Sequence, residues 1–505
     1  GGKNQLTPAE GMVCKVPVLQ GEVDTATIMT CGYNPDIACW SPFHGGMYAV
    51  VESVARAVAL GADPTKLRLT LQEYFEKLAD ESVWGKPFAA LLGAYSTQEA
   101  LGIPAIGGKD SMSGTFMDKT VPPTLISFAV GTVEPSKALS NEFKQAGNAV
   151  IFIDCPRDEA EGVDFKVYNE QLQIIHQAIN SGCVAAAMTV KYGGIAAAIS
   201  QMSFGNEIGF KFNKEISDIN TLFTPHIGSF ILEVPECSLS AFEDLEYIVL
   251  GSTIAEPVIA VNGVTIELSK AIHAWMNPLE SIFPSSKPAK ETAAIDRIFR
   301  SELSATYPGN IAQPRVVIPV FPGTNCEYDS KRAFELAGAK AETIVVKNYD
   351  TASLNDSVQQ LAKAINEAQI LMFPGGFSAG DEPEGSAKFI AALFRNNYLE
   401  EAVQNLLDKQ GLILGICNGF QALVKLGLLP YGKIAPMADN SPTITYNNIG
   451  RHVSTVVNTR VASNLSPWLS LVEPGDIHSI PLSHGEGKFY ATQEEIARLF
   501  ENGQV

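Results

Sequence analysis

Cys417 stands in the run Gly415-Ile416-Cys417-Asn418-Gly419-Phe420-Gln421, between the apolar runs 412–414 and 422–424. That order predicts a strand, one exposed cysteine on a sharp turn, then a helix. At the amino end of a helix, unpaired N–H groups and the helix dipole favour negative charge on sulfur, which is what a nucleophile needs. Glycines on both sides let the backbone bend and let a substrate approach. The pattern is the cysteine form of a nucleophile elbow. A buried cysteine at a strand end is the alternative, and the flanking residues argue against it. A second candidate lies upstream. Residues 370–373 read as a buried strand that ends in Pro374-Gly375-Gly376-Phe377-Ser378-Ala379-Gly380-Asp381. Paired glycines after a strand can aim backbone N–H groups at one point, as an oxyanion hole requires.

The elements that must position these residues follow from pattern. From residue 314 onward, apolar strands at 315–320, 342–346 and 370–373 alternate with helices at 330–336 and 358–367. The alternation predicts a doubly wound parallel sheet with Cys417 at the carboxyl edge of a strand. Residues 1–140 predict helices over 47–62 and 69–77, a glycine-rich turn at 106–114 and a strand over 124–130. Residues 146–283 predict a second α/β unit, with a strand at 149–153, a helix at 167–179, and Gly193-Gly194 opening a helix over 195–202. A polar connector at 284–313, containing Ser285-Ser286-Lys287-Pro288-Ala289-Lys290 and a short helix, leads into the last domain, 314–505.

Composition narrows the partners. The chain has 505 residues, enough for about three domains, and is 46% hydrophobic and 18% charged, with formal net charge −19. An acidic surface disfavours nucleic acid and anionic membrane. It does not exclude phosphorylated small molecules, which backbone N–H groups and local lysines can hold. The eight cysteines have no C-x-x-C pair, so free thiols in a reducing cytoplasm are expected. No apolar run is long enough to span a bilayer.

Together, Pro374-Gly375-Gly376 and Gly415-Ile416-Cys417-Asn418-Gly419-Phe420-Gln421 resemble class I (triad) glutamine amidotransferases. With Phe321-Pro322-Gly323-Thr324-Asn325-Cys326-Glu327 they resemble the glutaminase domain of the phosphoribosylformylglycinamidine synthase family. Gly107, Lys109-Asp110-Ser111-Met112, Gly193-Gly194 and Phe204-Gly205 are similar to the second of that family's two aminoimidazole-ribonucleotide-synthetase-like halves. The resemblance implies synthetase-like N- and C-subdomains followed by the glutaminase domain. It also implies a first synthetase-like half outside this chain, holding the main ATP and Mg²⁺ site. The implied reaction is ATP- and glutamine-dependent amidation of formylglycinamide ribonucleotide, a step of purine biosynthesis in the cytoplasm. Glutamine, ATP and the ribonucleotide would be the small-molecule partners. The alternatives are a glutaminase serving another synthetase, or a non-catalytic scaffold or ammonia-channel module. The first residues, Gly1-Gly2-Lys3, and the last, Val505, both read as cuts through a longer protein.

By resemblance, Cys417 is the nucleophile and Gly375, Gly376 and Asn418 frame the oxyanion. Phe377, Gln421, His484 and Glu486 line the glutamine pocket, and Lys109, Asp110 and Ser111 lie at the synthase cleft. Cys326 reads as structural. Two departures stand out. The family can hold an auxiliary Mg²⁺-nucleotide through two Asp, a Glu and an Asn. Here those positions are Asp24, Glu52, Arg56 and Thr189, with Lys191 in place of a nucleotide-contacting Ser. Magnesium needs hard oxygen donors, so the site is expected to be lost, with Arg56 and Lys191 neutralising nearby carboxylates. The second departure concerns Ser483-His484-Gly485-Glu486-Gly487. It has His-x-Glu spacing, but the family carries its base and orienter in a later Pro-His-x-Glu-Arg-like motif, which this chain lacks. The true base and orienter are therefore expected to be missing, with His484 and Glu486 acting as the dyad the competing reading. His44 at a helix start, and Arg451 and His452 after Asn447-Asn448, are weaker candidates. His176, His226 and His273 read as structural, and Trp40, Trp84, Trp275 and Trp468 as packing or interface residues.

Overall fold

The computed structural model describes residues 6–18, 21–213, 215–285, 297–301, 311–378 and 387–505. The chain divides into two compact units, Gly1–Phe283 and Pro284–Val505. Both are mixed α/β.

The first unit carries two sheets. Strands β1 (Met12–Lys15), β2 (Ala26–Gly32), β3 (Arg68–Tyr74) and β4 (Ala105–Lys109) are followed by a small hairpin, β5 (Thr115–Phe116) and β6 (Lys119–Thr120), and by β7 (Thr124–Val133). The five-stranded sheet runs β1-β2-β7-β3-β4. Helix α1 (Pro35–Trp40) leads into α2 (Pro42–Ala59), which starts at the Ser41 cap and is buried along most of its length. It packs with α3 (Glu81–Leu101) through Met47, Val50, Val54, Ala90 and Ala94. The second sheet contains β8 (Ala149–Ile153), β9 (Ala186–Thr189), β10 (Gly209–Phe212), β11 (Phe230–Val234), β12 (Ile248–Ile254), β13 (Val258–Val261) and β14 (Val264–Glu267). Its helices are α4 (Phe165–Asn180), α5 (Gly194–Phe204) and α6 (Leu268–Met276).

Two expectations for this unit are corrected. Of residues 69–77, read as a helix, 69–74 belong to strand β3, which pairs antiparallel with β7 and parallel with β4. Leu69 is fully buried, and inter-strand pairing overrides the helix-like spacing. The glycine-rich turn at 106–114 is a turn only after Lys109, because its first part is the edge strand β4.

In the second unit, β15 (Arg315–Val320), β16 (Lys340–Val345), β17 (Ile370–Phe373) and β18 (Leu412–Gly415) form a parallel sheet in the order β16-β15-β17-β18. Crossovers include α7 (Glu327–Leu336), α8 (Thr351–Glu367), α9 (Lys388–Phe394) and α10 (Asn397–Asp408). Alternation along the strands feeds two cores. Val317, Leu371 and Phe373 face the core of α8 to α10, while Val316, Ile318 and Met372 face the other side with Phe334 of α7. Helix α11 (Asn418–Leu426) follows β18, and α12 (Leu428–Tyr431) follows it. Beyond them lie β19 (Thr443–Tyr446), β20 (Val453–Arg460), β21 (Ile477–His484), β22 (Glu486–Tyr490) and α13 (Gln493–Glu501). Strand β19 pairs with β22, and β20 with β21. Most of the connector at 284–313, and residues 379–381 of the second glycine motif, lie outside the described residues. Among the described residues, no helix is long and apolar enough to cross a membrane.

Candidate active site

Cys417 is the residue between β18 and α11, with φ 54° and ψ −111°. A non-glycine residue held there carries backbone strain of about 1–3 kcal/mol, tolerated where the surroundings fix it. The two flanking glycines provide that fixing. A Cβ on Gly415 would lie 2.7 Å from the Gly419 carbonyl oxygen, and one on Gly419 would lie 2.1 Å from the Phe373 carbonyl oxygen. The Gly-x-Cys-x-Gly spacing is therefore the spacing at which strand and helix backbones touch. Cys417 itself is exposed. Gly419→Ala is expected to destabilise the second unit by about 1–3 kcal/mol through overpacking, read by denaturant unfolding, and to slow alkylation of Cys417.

Opposite the elbow, Phe321–Glu327 and Pro374–Phe377 are zipped together. Thr324 bridges to Gly376, and the Phe377 N–H donates to the Gly323 oxygen at 2.9 Å. Gly376 has φ 125°, a conformation that only glycine adopts readily. Among the described residues its N–H makes no hydrogen bond, as an oxyanion donor requires before substrate arrives. Gly375 is buried between two cysteines: its Cβ position lies 3.3 Å from Cys417 Cβ and 3.4 Å from Cys326 Sγ. Cys326 is thus adjacent to Cys417. Burial first, then the neighbouring Cys417 sulfur, push the Cys326 thiol up.

Cys417 opens into a cavity of about 450 Å³ lined by Gly376, Phe377, Gln421, Tyr446, Arg451 and His484, among others. Phe377 is exposed at its rim. The buried Asn418 and Gln421 side chains act as a brace. Asn418 Oδ1 accepts from the Ser378 N–H at 3.4 Å, Asn418 Nδ2 donates to Gln421 Oε1 at 3.1 Å, and Gln421 Nε2 donates to the Glu486 carbonyl at 2.9 Å. His484 and Glu486 reach the same cavity from either side of the β21–β22 connection. Among the described residues, no histidine hydrogen-bonds Cys417. His484 Nδ1 is buried with no partner, and a Cβ on Gly487 would fall within 2.3 Å of three atoms of its ring. His452 Nε2 bonds the Ser483 hydroxyl at 2.9 Å.

In the first unit, Glu52, Arg56, Thr189 and Lys191 come together around a residue that sequence reasoning missed, Glu10. Its side chain is fully buried. Arg56 Nε lies 3.1 Å from Glu10 Oε2, Thr189 Oγ1 donates to Oε2 at 2.9 Å, and Lys191 Nζ pairs with Oε1 at 2.5 Å. Arg56 Nη1 also reaches Glu52 Oε1 at 3.5 Å. Burial would raise the Glu10 carboxyl, but Lys191 and Arg56 outweigh it and hold it below the usual range. Burial wins at Glu52, which is pushed up despite Arg56 and Lys191. Asp24 is exposed and is not among the groups around Glu10. Two cations already fill the place of a divalent ion, so this donor set does not fit Mg²⁺. Among the described residues, no cluster of three or more His, Cys, Asp or Glu side chains could hold a metal. The one available signal for Glu10 was the pair Arg56 and Lys191, which together require more negative charge than Glu52 supplies.

The remaining candidates scatter. Lys109 and Asp110 are exposed, and Ser111 pairs its N–H with the Glu73 oxygen at 3.1 Å. Burial and then Asp110 push the Glu73 carboxyl up, and Glu73 Oε1 is buried without a partner. His44 has both ring nitrogens engaged, with Ser41 at 2.8 Å and the Ala160 oxygen at 3.1 Å. His226 bonds Asp154 at 3.1 Å. Trp468 donates to the Ile413 oxygen at 3.2 Å, while Trp40 and Trp84 are largely exposed.

Residues 313–505 match the family model of the CobB/CobQ-like glutamine amidotransferase domain. Similar curated proteins include the phosphoribosylformylglycinamidine synthase subunit PurQ of Dehalococcoides mccartyi, 37% identical over 179 residues, covering 35% of this chain and 64% of that protein. The PurQ of Aquifex aeolicus is 31% identical over 191 residues, covering 38% of this chain and 71% of that protein. The chain thus spans about two thirds of the length of these relatives. Among solved structures, T. maritima PurL complexed with FGAR aligns at 15% identity and a TM-score of 0.43, covering 72% of this chain and 62% of that one.

Proposed function

The chain belongs to the glutamine amidotransferase family that includes the PurQ subunits of phosphoribosylformylglycinamidine synthase, and on that premise we propose that Cys417 releases ammonia from glutamine for amidation of formylglycinamide ribonucleotide. The observation that carries this is the strained, exposed Cys417 between β18 and α11, lining one cavity with Gly376. Cys417 Sγ attacks the side-chain amide carbon of glutamine. In this proposal the Gly376 N–H and the Asn418 backbone N–H receive the oxyanion. The carbon–nitrogen bond then breaks, the thiol proton ends on the departing nitrogen, and a glutamyl thioester remains. Water hydrolyses it to glutamate and free thiol. The ammonia serves an ATP-dependent synthetase that includes residues 1–283 and a further synthetase-like half, arranged as one large single-chain enzyme of the cytoplasm.

In this reading His484 and Glu486 shape the cavity and do not act as base and orienter. The unpartnered His484 Nδ1 supports that, because an orienting carboxylate would occupy it. The 505 residues alone are therefore nearly inactive. A scaffold role for residues 1–283 is the second reading, favoured by the self-neutralised cluster around Glu10.

The test supplies [amide-15N]glutamine, ATP, Mg²⁺ and formylglycinamide ribonucleotide, with and without a separately supplied synthetase-like half and a complementing segment that carries a His-x-Glu dyad. We expect 15N in the amidine only with both additions. Amidine from the 505 residues alone would contradict the incomplete acid–base machinery. None under either condition would contradict the assignment.

A further inference from the structure

Arg451 lines the Cys417 cavity, and among the described residues its guanidinium bonds a backbone carbonyl rather than a carboxylate. Its one side-chain bond is from Nη2 to the Pro284 carbonyl, which leaves other N–H donors of the fork open. A cation left uncompensated on the wall of a cavity, in a chain of net charge −19, calls for an anionic ligand group. The loop that carries it is built to hold position. The Asn447 N–H donates to the Gly485 oxygen at 2.9 Å, Asn447 Nδ2 donates to the His484 oxygen at 2.8 Å and to the Arg451 oxygen at 3.1 Å, and Lys488 donates to Asn448 Oδ1 at 2.7 Å. Those bonds fasten the Arg451 loop to the β21–β22 connection on the cavity wall. Glu486 lines the same cavity and gives it charge of the other sign.

We propose that Arg451 clamps the α-carboxylate of the substrate amino acid, so that the cavity selects a free zwitterion over a peptide-bound or carboxylate-blocked amide. This rests on the glutaminase reading above and names the group that orients its substrate. A planar guanidinium matches a carboxylate in a bidentate fork, which a lysine ammonium does only as a point charge. With the carboxylate fixed at Arg451, the amide at the far end of the side chain is presented to Cys417.

The test compares rates of Cys417 modification by peptide mapping. The probes are a diazoketone analogue of glutamine with a free α-carboxylate, the methyl ester of that analogue, and iodoacetamide. Arg451→Gln should slow the free-carboxylate probe about 10- to 100-fold, the range for a charged hydrogen bond. Arg451→Lys should recover part of that rate. The ester should react slowly with both the wild type and Arg451→Gln, and iodoacetamide equally fast with both, which also reports an intact fold. Equal rates for the free-carboxylate probe in wild type and Arg451→Gln overturn the clamp. A wild type that reacts with iodoacetamide but not with either amino-acid probe overturns the glutaminase reading itself.

Discussion

Replacing Cys417 with alanine is expected to reduce glutamine hydrolysis at least about a thousandfold in the complemented assembly proposed above, because loss of a nucleophile leaves only binding and oxyanion contributions. Stability should change little, since the residue is exposed and alanine keeps its Cβ. The informative control is Cys326→Ala. Cys326 Sγ and Cys417 Cβ flank the same glycine, at 3.4 and 3.3 Å from its Cβ position. Proximity alone therefore does not distinguish them. Local structure does: Cys417 sits strained at the start of α11, whereas Cys326 precedes α7 in a loop zipped to residues 376 and 377, with its thiol pushed up by burial. Cys326→Ala should keep hydrolysis within a few-fold of wild type. Glutamate release, measured for both variants, checks the assignment, and equal losses would refute it.

Glu10→Gln should destabilise the first unit by about 3–5 kcal/mol, the cost of leaving buried charges without their partner. Arg56 and Lys191 would both lose their principal counter-ion. Chemical denaturation monitored by a probe in residues 6–283 reads the loss. The pH dependence has a definite sign. The carboxyl of Glu10 is held below its ordinary value, so its contribution is present above that value, about pH 4.3, and is lost as pH falls through the lower folded-state value. The gap between wild type and Glu10→Gln should therefore close in acid. Glu52, held up by burial, opposes this in part: its ionisation costs stability as pH rises. Replacing Glu10, Arg56 and Lys191 together with apolar residues of similar volume should cost far less than Glu10→Gln alone. A triple variant as unstable as the single one would show that the cluster does more than balance charge.

The parts of this molecule legible in sequence are those set by neighbouring residues. The Cys417 elbow depends on which residues flank one sulfur, and strands 149–153 and 315–320 are short apolar runs whose bounds the structure reproduces. What was hidden depends on distant partners. Strand β3 reads as helical until β7 and β4 are beside it. Helix α3 contains Gly85 and Pro87, both poor in a helix, and forms because Ala90, Ala94 and Leu101 join the core around α2. Glu10 lies in a segment without periodicity, and its role appears only when α2 and β9 bring Arg56, Thr189 and Lys191 to it. Arg451 was nominated only weakly from its neighbours, because its place on the cavity wall is set by hydrogen bonds to the β21–β22 connection more than thirty residues away.

The most direct measurement of the central claim is rapid acid quenching of a reaction with carbon-labelled glutamine in the fully assembled enzyme, followed by peptide mapping. A labelled glutamyl thioester is expected on the peptide that carries Cys417, absent in Cys417→Ala. Label on the Cys326 peptide, or turnover with no labelled peptide at all, would contradict it.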